Sequence, residues 1–140
     1  DQYKILVVED SPLIRKMIQD VLAKGGFHNV EAVSHGKAAW DRLCDEGEAF
    51  DLVITDIEMP KMDGLALTKK IKEDERLRNI PVIVFSSIMA DDIKKKAQSV
   101  GADGQITKPE IEQLIAKVGE LLRKRREVGS KNHEGTASLG

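Results

Sequence analysis

The feature that most constrains this chain is a regular alternation of two apolar patterns. Short β-prone runs without polar interruption are each followed by a longer stretch whose apolar residues recur at helical spacing, and the pair repeats five times. Lys4-Ile5-Leu6-Val7-Val8 opens the series, and Leu52-Val53-Ile54-Thr55 and Val82 to Phe85 read the same way. Continuous runs of this kind are those of strands covered on both faces. Weaker strands are expected at Val30 to Val33 and Gln105 to Thr107. Pro81 stands just before the fourth run, where a proline removes no ladder bond.

The intervening stretches read as helices. Ser11 is a capping residue before Pro12, and Leu13, Ile14, Met17, Ile18, Val21 and Leu22 form one stripe that Gly25-Gly26 ends. Lys37 to Asp45 follows, with Ala39, Trp40, Leu43 and Cys44 inward, then Leu65 to Asp74 after a loop from Met59 to Gly64. A modest helix is predicted over Ala90 to Val100, and a final one from Glu110 with Ile111, Leu114, Ile115, Val118, Leu121 and Leu122 on one face. Strands alternating with helices imply a parallel sheet with helices on both sides, joined by right-handed crossovers.

Composition agrees and excludes other classes. The 140 residues (15.5 kDa, 41% hydrophobic) are the size of one domain, and its core needs no disulfide staples. Apolar runs no longer than Ile5 to Val8 are far too short to span a bilayer, so membrane insertion is not expected. A lone Cys44 offers neither a disulfide nor zinc spacing, which suits a reducing, cytoplasmic compartment. Residues 1–122 carry a net charge of −5 and residues 123–140 a net +3. An acidic body gives no general attraction to nucleic acid. The basic run Arg123-Lys124-Arg125-Arg126 reads as a solvated helix end that complements the macrodipole, and Val128 to Gly140 as a disordered polar tail or linker.

Chemistry enters where the strands end. Strand one runs into Glu9-Asp10, strand three into Asp56, strand four into Ser86-Ser87 and strand five into Lys108-Pro109. In an open α/β sheet these carboxyl ends share one edge, the edge that binds ligands. Three acids gathered there repel one another by about 4 kcal/mol for a pair 4 Å apart. A cation is required, and few carboxylates with waters and phosphate oxygens suit Mg²⁺. Lys108 adds a point charge fit for a phosphoryl group, and an Asp beside the ion could become an aspartyl phosphate.

With these residues in this order, the chain resembles the response-regulator receiver domain of two-component signalling. The resemblance covers about residues 3 to 122 and rests on Glu9-Asp10, Asp51 to Asp56, Met59-Pro60, Met62-Asp63-Gly64, Ser86, Gly101-Ala102-Asp103 and Lys108-Pro109. It implies a flavodoxin-like (βα)5 three-layer sandwich, a five-stranded parallel sheet with helices on both faces. Asp56 would be the phospho-acceptor, and Glu9, Asp10, Asp56 and the backbone carbonyl of Glu58 the Mg²⁺ ligands. Ser86 and Lys108 would hold phosphoryl oxygens, and the Lys108-Pro109 bond would be cis. The implied partners are a sensor histidine kinase and a downstream protein target. Such a domain is not a classical enzyme but catalyses its own phosphorylation and dephosphorylation, and it is expected as a monomer or weak dimer.

Three departures from the family pattern stand out. Gln105 occupies a place where the family usually has Tyr or Phe, so the usual aromatic coupling to the strand-four hydroxyl is in doubt. Glu58 and Ile88 occupy positions that influence phosphate lifetime in the family. An apolar Ile88 and an anionic Glu58 imply slow self-dephosphorylation. Ser86-Ser87-Ile88 and Gly104 to Ile111 most resemble receivers of chemotaxis coupling scaffolds, in which a kinase-coupling domain precedes the receiver, as a chain opening at Asp1 would allow. The eighteen residues after Leu122 are too few for a DNA-binding domain, so direct DNA binding is not expected.

Other readings are weaker. Trp40 belongs to the core stripe, Cys44 is expected as an inert packed thiol, and His28, His35 and His133 share no metal spacing. An aspartate-nucleophile phosphohydrolase of haloacid-dehalogenase type would have a second Asp where Glu58 stands, and a cap domain. A degenerate receiver acting as a binding module would lack one of the acids, the acceptor or the lysine, and none is missing. No glycine-rich nucleotide loop is present.

Overall fold

The fold is that of a computed structural model, which describes residues 3–59, 62–87 and 89–125, with only the backbone of Pro109. The elements run β1 (Ile5–Val8), α1 (Pro12–Lys24), β2 (Val30–Val33), α2 (Gly36–Cys44), β3 (Leu52–Asp56), α3 (Gly64–Glu73), β4 (Val82–Ser86), α4 (Asp91–Ser99) and β5 (Gly104–Thr107). A 3₁₀ turn, Lys108–Gln113, then leads into α5 over 114–125. All strand pairings are parallel, in the order β2-β1-β3-β4-β5 known for the flavodoxin-like fold.

Strand side chains alternate between two cores. Ile5, Val7, Leu52, Ile54, Ile83, Phe85 and Ile106 pack beneath α1 and α5, against Ile18, Leu22, Leu114, Val118 and Leu121. Leu6, Val8, Val53, Val82 and Val84 face the other way, against Ala39 and Leu43 of α2, Leu67 and Ile71 of α3, and Ala97 of α4. The three central strands are buried throughout, which is why their sequences carry no polar alternation. The edges differ: β2 is half-buried along its length and β5 alternates, so both give weaker strand signals.

Several expectations are corrected here. The α1 stripe of six apolar residues is wider than the face it buries. At about 100° per residue it sweeps roughly half the circumference, and Leu13 (69% exposed) and Met17 (43%) lie outside the packed half. Cys44 is exposed rather than packed, because it lies about 100° round the helix from the buried Leu43. Trp40 is half-buried, with Lys70 Nζ 4.8 Å from its ring centroid. His35 is not incidental, since its Nδ1 accepts the Ala38 N–H at 3.1 Å and caps α2. The last helix does not start at Glu110, whose φ of −102° and ψ of 32° leave helical space, and a 3₁₀ turn fills the gap. The expected tail from Val128, and His133, lie outside the described residues.

One side chain ties three connections together. Lys72 Nζ donates to Arg78 O (3.2 Å), Ile80 O (2.8 Å) and Asp103 Oδ2 (2.8 Å). Asp103 Oδ2 also accepts from Val82 N at 2.8 Å, so the entry to β4, the end of α3 and the turn before β5 share one ammonium. Substituting Lys72→Met leaves two carbonyls and a carboxylate without this donor. The expected loss is about 1–2 kcal/mol, discounted for partial exposure, read as a lower urea midpoint at unchanged slope.

Candidate functional site

Sheet register assembles the site. Val8 pairs with Thr55, Asp56 with Phe85, and Ser86 with Thr107. The residues that follow β1 and β5, and those that end β3 and β4, therefore meet at one level of the carboxyl edge. Glu9, Asp10 and Asp56 each offer a carboxylate oxygen, and these atoms lie within 4.8 Å of one another. Glu9 and Asp56 are fully buried and Asp10 is exposed.

Each acid is held by its own element. The backbone N–H of Ser11 donates to Glu9 Oε2 at 2.8 Å, so the turn that starts α1 orients the carboxylate. Arg15 reaches back from α1 to the carbonyls of Glu9 (2.8 Å) and Asp10 (3.3 Å). That clasp was not legible in the sequence, where Arg15 is one surface cation among many. Asp56 Oδ1 accepts the Glu58 N–H at 3.3 Å, and Oδ2 faces Lys108 Nζ at 3.2 Å. Beneath Asp56 the chain passes so close that a Cβ on Gly64 would stand 2.1 Å from the Asp56 carbonyl oxygen. Only glycine allows α3 to begin there.

Lys108 is the site's cation. Its Nζ lies 3.2 Å from Asp56 Oδ2, 3.3 Å from Glu9 Oε1 and 5.7 Å from the Phe85 ring centroid. Among the described residues one ammonium pairs with these carboxylates, which leaves negative charge in excess. Burial pushes the Glu9 carboxyl up to about 7; the Ser11 hydrogen bond and Lys108 oppose this, while Asp10 and Asp56 add to it. Burial likewise raises Asp56 against the pull of Lys108. Burial works against the Lys108 ammonium, but its pairing with Asp56 and Glu9 outweighs that and raises its pKa.

The donor set fits a hard divalent cation. Glu9 Oε1 is buried and accepts no hydrogen bond, since Lys108 beside it lies outside hydrogen-bond geometry. An orphaned, fully buried carboxylate oxygen is costly. The Glu9 carboxylate stands with an oxygen within 4.8 Å of two further acid oxygens, which is the oxygen-rich environment that Mg²⁺ takes.

Ser86, at the end of β4, is fully buried, and its hydroxyl donates to Glu58 Oε1. The sequence pointed to the backbone carbonyl of Glu58, whereas the structure adds its side chain as the partner of Ser86. Gln105 is half-buried on β5, and its Nε2 donates to Lys94 O of α4 at 3.2 Å, so it fills no apolar slot. Ile88 lies outside the described residues, and the expected cis Lys108-Pro109 bond rests in part on a residue described only by its backbone. Among the described residues no peptide bond is cis.

Known proteins are similar to this chain in sequence and in fold. The family model for the response regulator receiver domain matches residues 5–119. Chemotaxis protein CheY1 of Helicobacter pylori is 34% identical over 119 residues, which cover 85% of this chain and 95% of that protein. The gliding motility regulatory protein of Myxococcus xanthus is 33% identical over 108 residues, 77% of this chain but only 14% of that much longer relative. Among solved structures, the signal receiver domain of a signal transduction histidine kinase from Syntrophus aciditrophicus gives a TM-score of 0.79 at 35% identity, covering 87% of this chain and 91% of that one. Because the match runs from the first strand into the last helix, this chain belongs to the response regulator receiver domain family of two-component signalling.

Proposed function

We propose that this receiver domain takes a phosphoryl group from a phosphohistidine of a sensor histidine kinase onto Asp56, with Mg²⁺, and thereby switches a protein-interaction surface. The observation that carries this reading is the buried Glu9 carboxylate, one oxygen of which accepts no hydrogen bond, gathered with those of Asp10 and Asp56. The ligands would be Glu9, Asp10 and Asp56, with the backbone carbonyl of Glu58 as a fourth. Bound by these residues, the ion supplies charge neutralisation for the acids and for phosphoryl oxygens.

The chain's own groups do the rest. An Asp56 carboxylate oxygen forms the new bond to phosphorus as the phosphorus–nitrogen bond breaks, and that electron pair returns to the imidazole. Lys108, already 3.2 Å from Asp56 Oδ2, is placed to pair with a phosphoryl oxygen as charge develops there. The Ser86 hydroxyl supplies a hydrogen bond to another. The receiver unit is assigned to residues 1–122 and the basic helix end with its tail to 123–140. Its setting is the cytoplasm, as a monomer or weak dimer. No described helix is long and apolar enough to cross a membrane. The similarity to chemotaxis protein CheY1 supports a place in chemotaxis, and the acidic charge of residues 1–122 favours a downstream protein rather than DNA as target.

Incubation with acetyl phosphate and Mg²⁺ is expected to add one phosphoryl mass to the intact chain. Asp56→Asn, or a chelator, is expected to abolish it. A wild-type chain that stays unmodified would sink this reading. Sustained turnover of a small phosphate ester would favour the phosphohydrolase instead, and a folded chain that binds partners without ever being modified would be a degenerate receiver.

The acids also predict how metal-free stability depends on pH. With Glu9 raised from 4.5 to about 7, the folded protein keeps a proton that the unfolded chain has released. The folded state binds more protons in that window, so stability falls as pH rises through it and levels off above. The raised Asp56 acts in the same sense. Melting with chelator present, from pH 5 to 8, is expected to show this fall in wild type and a smaller one in Glu9→Gln. Added Mg²⁺, which needs the deprotonated acids, is expected to raise Tm more at pH 8 than at pH 5.

A further inference from the structure

We propose that Glu58 is a latch on Ser86: in the unmodified protein its carboxylate occupies the hydroxyl that a phosphoryl group on Asp56 must claim, so modification exchanges one anion for the other. This rests on the aspartyl phosphate reading above and specifies how the site is regulated.

The geometry is a bridge. Glu58 gives its backbone N–H to Asp56 Oδ1 at 3.3 Å, while its side-chain Oε1 accepts from Ser86 Oγ. One residue therefore touches both the acceptor acid and the strand-four hydroxyl. Ser86 is fully buried, whereas Glu58 is exposed, so the carboxylate reaches inward from a residue with open water behind it. A serine hydroxyl has a single proton to donate. It cannot serve Glu58 and a phosphoryl oxygen together.

The exchange has a direction. A phosphoryl group on Asp56 places new negative charge within a few bonds of the Glu58 carboxylate, and like charges at such range repel strongly. Glu58 has an exit to solvent; Ser86 has none. The hydroxyl passes to the phosphoryl oxygen and the carboxylate swings out. In the unmodified state the same hydrogen bond, charge-assisted and partly buried, holds the end of β4 in place. Glu58 is thus a positioning residue that opposes the switch, and the threshold for switching contains the strength of its bond to Ser86.

The test uses the intact chain with Mg²⁺ and beryllium fluoride, a mimic of a phosphoryl group on a carboxylate, titrated by NMR. Glu58→Ala is expected to lower the half-saturating fluoride complex about tenfold, in the range of one charge-assisted hydrogen bond. Glu58→Gln keeps an acceptor for the hydroxyl and is expected to gain less. In a Ser86→Ala background the gain from Glu58→Ala is expected to shrink to about threefold or below, since the partner it released is gone. An equal gain in both backgrounds, or a Gln gain equal to that of Ala, would reduce Glu58 to simple repulsion and overturn the latch. No gain at all would also overturn it. A second measurement needs no modification: the amide of Ser87 is expected to shift and exchange faster in unmodified Glu58→Ala, and an unchanged amide counts against the latch. Absence of any beryllium fluoride uptake by wild type and by Glu58→Ala alike would instead overturn the aspartyl phosphate reading, and the exchange with it.

Discussion

The site depends on two buried carboxylates held side by side with too little positive charge. Glu9 and Asp56 are both buried, and Lys108 is the ammonium that touches each. No local preference of the chain would choose this. The sheet imposes it: once β1 pairs with β3 in a register that sets Val8 against Thr55, the next residue on each, Glu9 and Asp56, must face its counterpart. The apolar runs hold that register, because a one-residue slip would turn Ile5 and Val7 out of one core and Leu6 and Val8 out of the other.

This explains how a destabilising arrangement persists. Two continuous cores, one on each face of the sheet, supply burial far beyond what the Glu9 oxygen that lacks a hydrogen bond removes. The acids can stay poised because the strands beneath them are fully buried. A cation bound here would relieve repulsion among the acids, so its affinity would draw on that relief as well as on the new bonds. Such groups at a ligand-binding edge are where a fold's local rules are expected to break.

How much of this was legible in the sequence follows from the same physics. The central strands were plain because burial on both faces erases polar alternation, and the start of α1 was marked by its capping Ser11, whereas α3 begins at Gly64, capped by Asp63, one residue before the expected Leu65. The edge strands were fainter since each meets solvent on one side. Glu9, Asp10, Asp56, Ser86 and Lys108 could be found because each ends a strand or lies within two residues of its end, and strand ends are fixed by topology. Arg15, His35 and the Glu58 side chain could not: their partners are set by rotamers and turn geometry, to which no periodicity points. Periodicity also overreached, placing Leu13, Met17 and Cys44 inward when it could not say how wide the packed face is.

The departures at Glu58 and Gln105 bear on one element. Ser86 ends β4, and only residues 87–90 separate it from α4, so a change of partner at its hydroxyl acts on the entry to that helix. Gln105 grips the same helix further along, through the carbonyl of Lys94. A ring at position 105 could move into an apolar slot without breaking a hydrogen bond, whereas a moving Gln must give up its bond to the α4 backbone. Helix α4 is also lightly anchored, since Ala97 is its one fully buried residue and Ala90 supplies no side-chain cap. A helix with little buried surface, held by β5 near its middle at Lys94 and joined to Ser86 through the short link at its start, would be the element whose position the site can most readily shift.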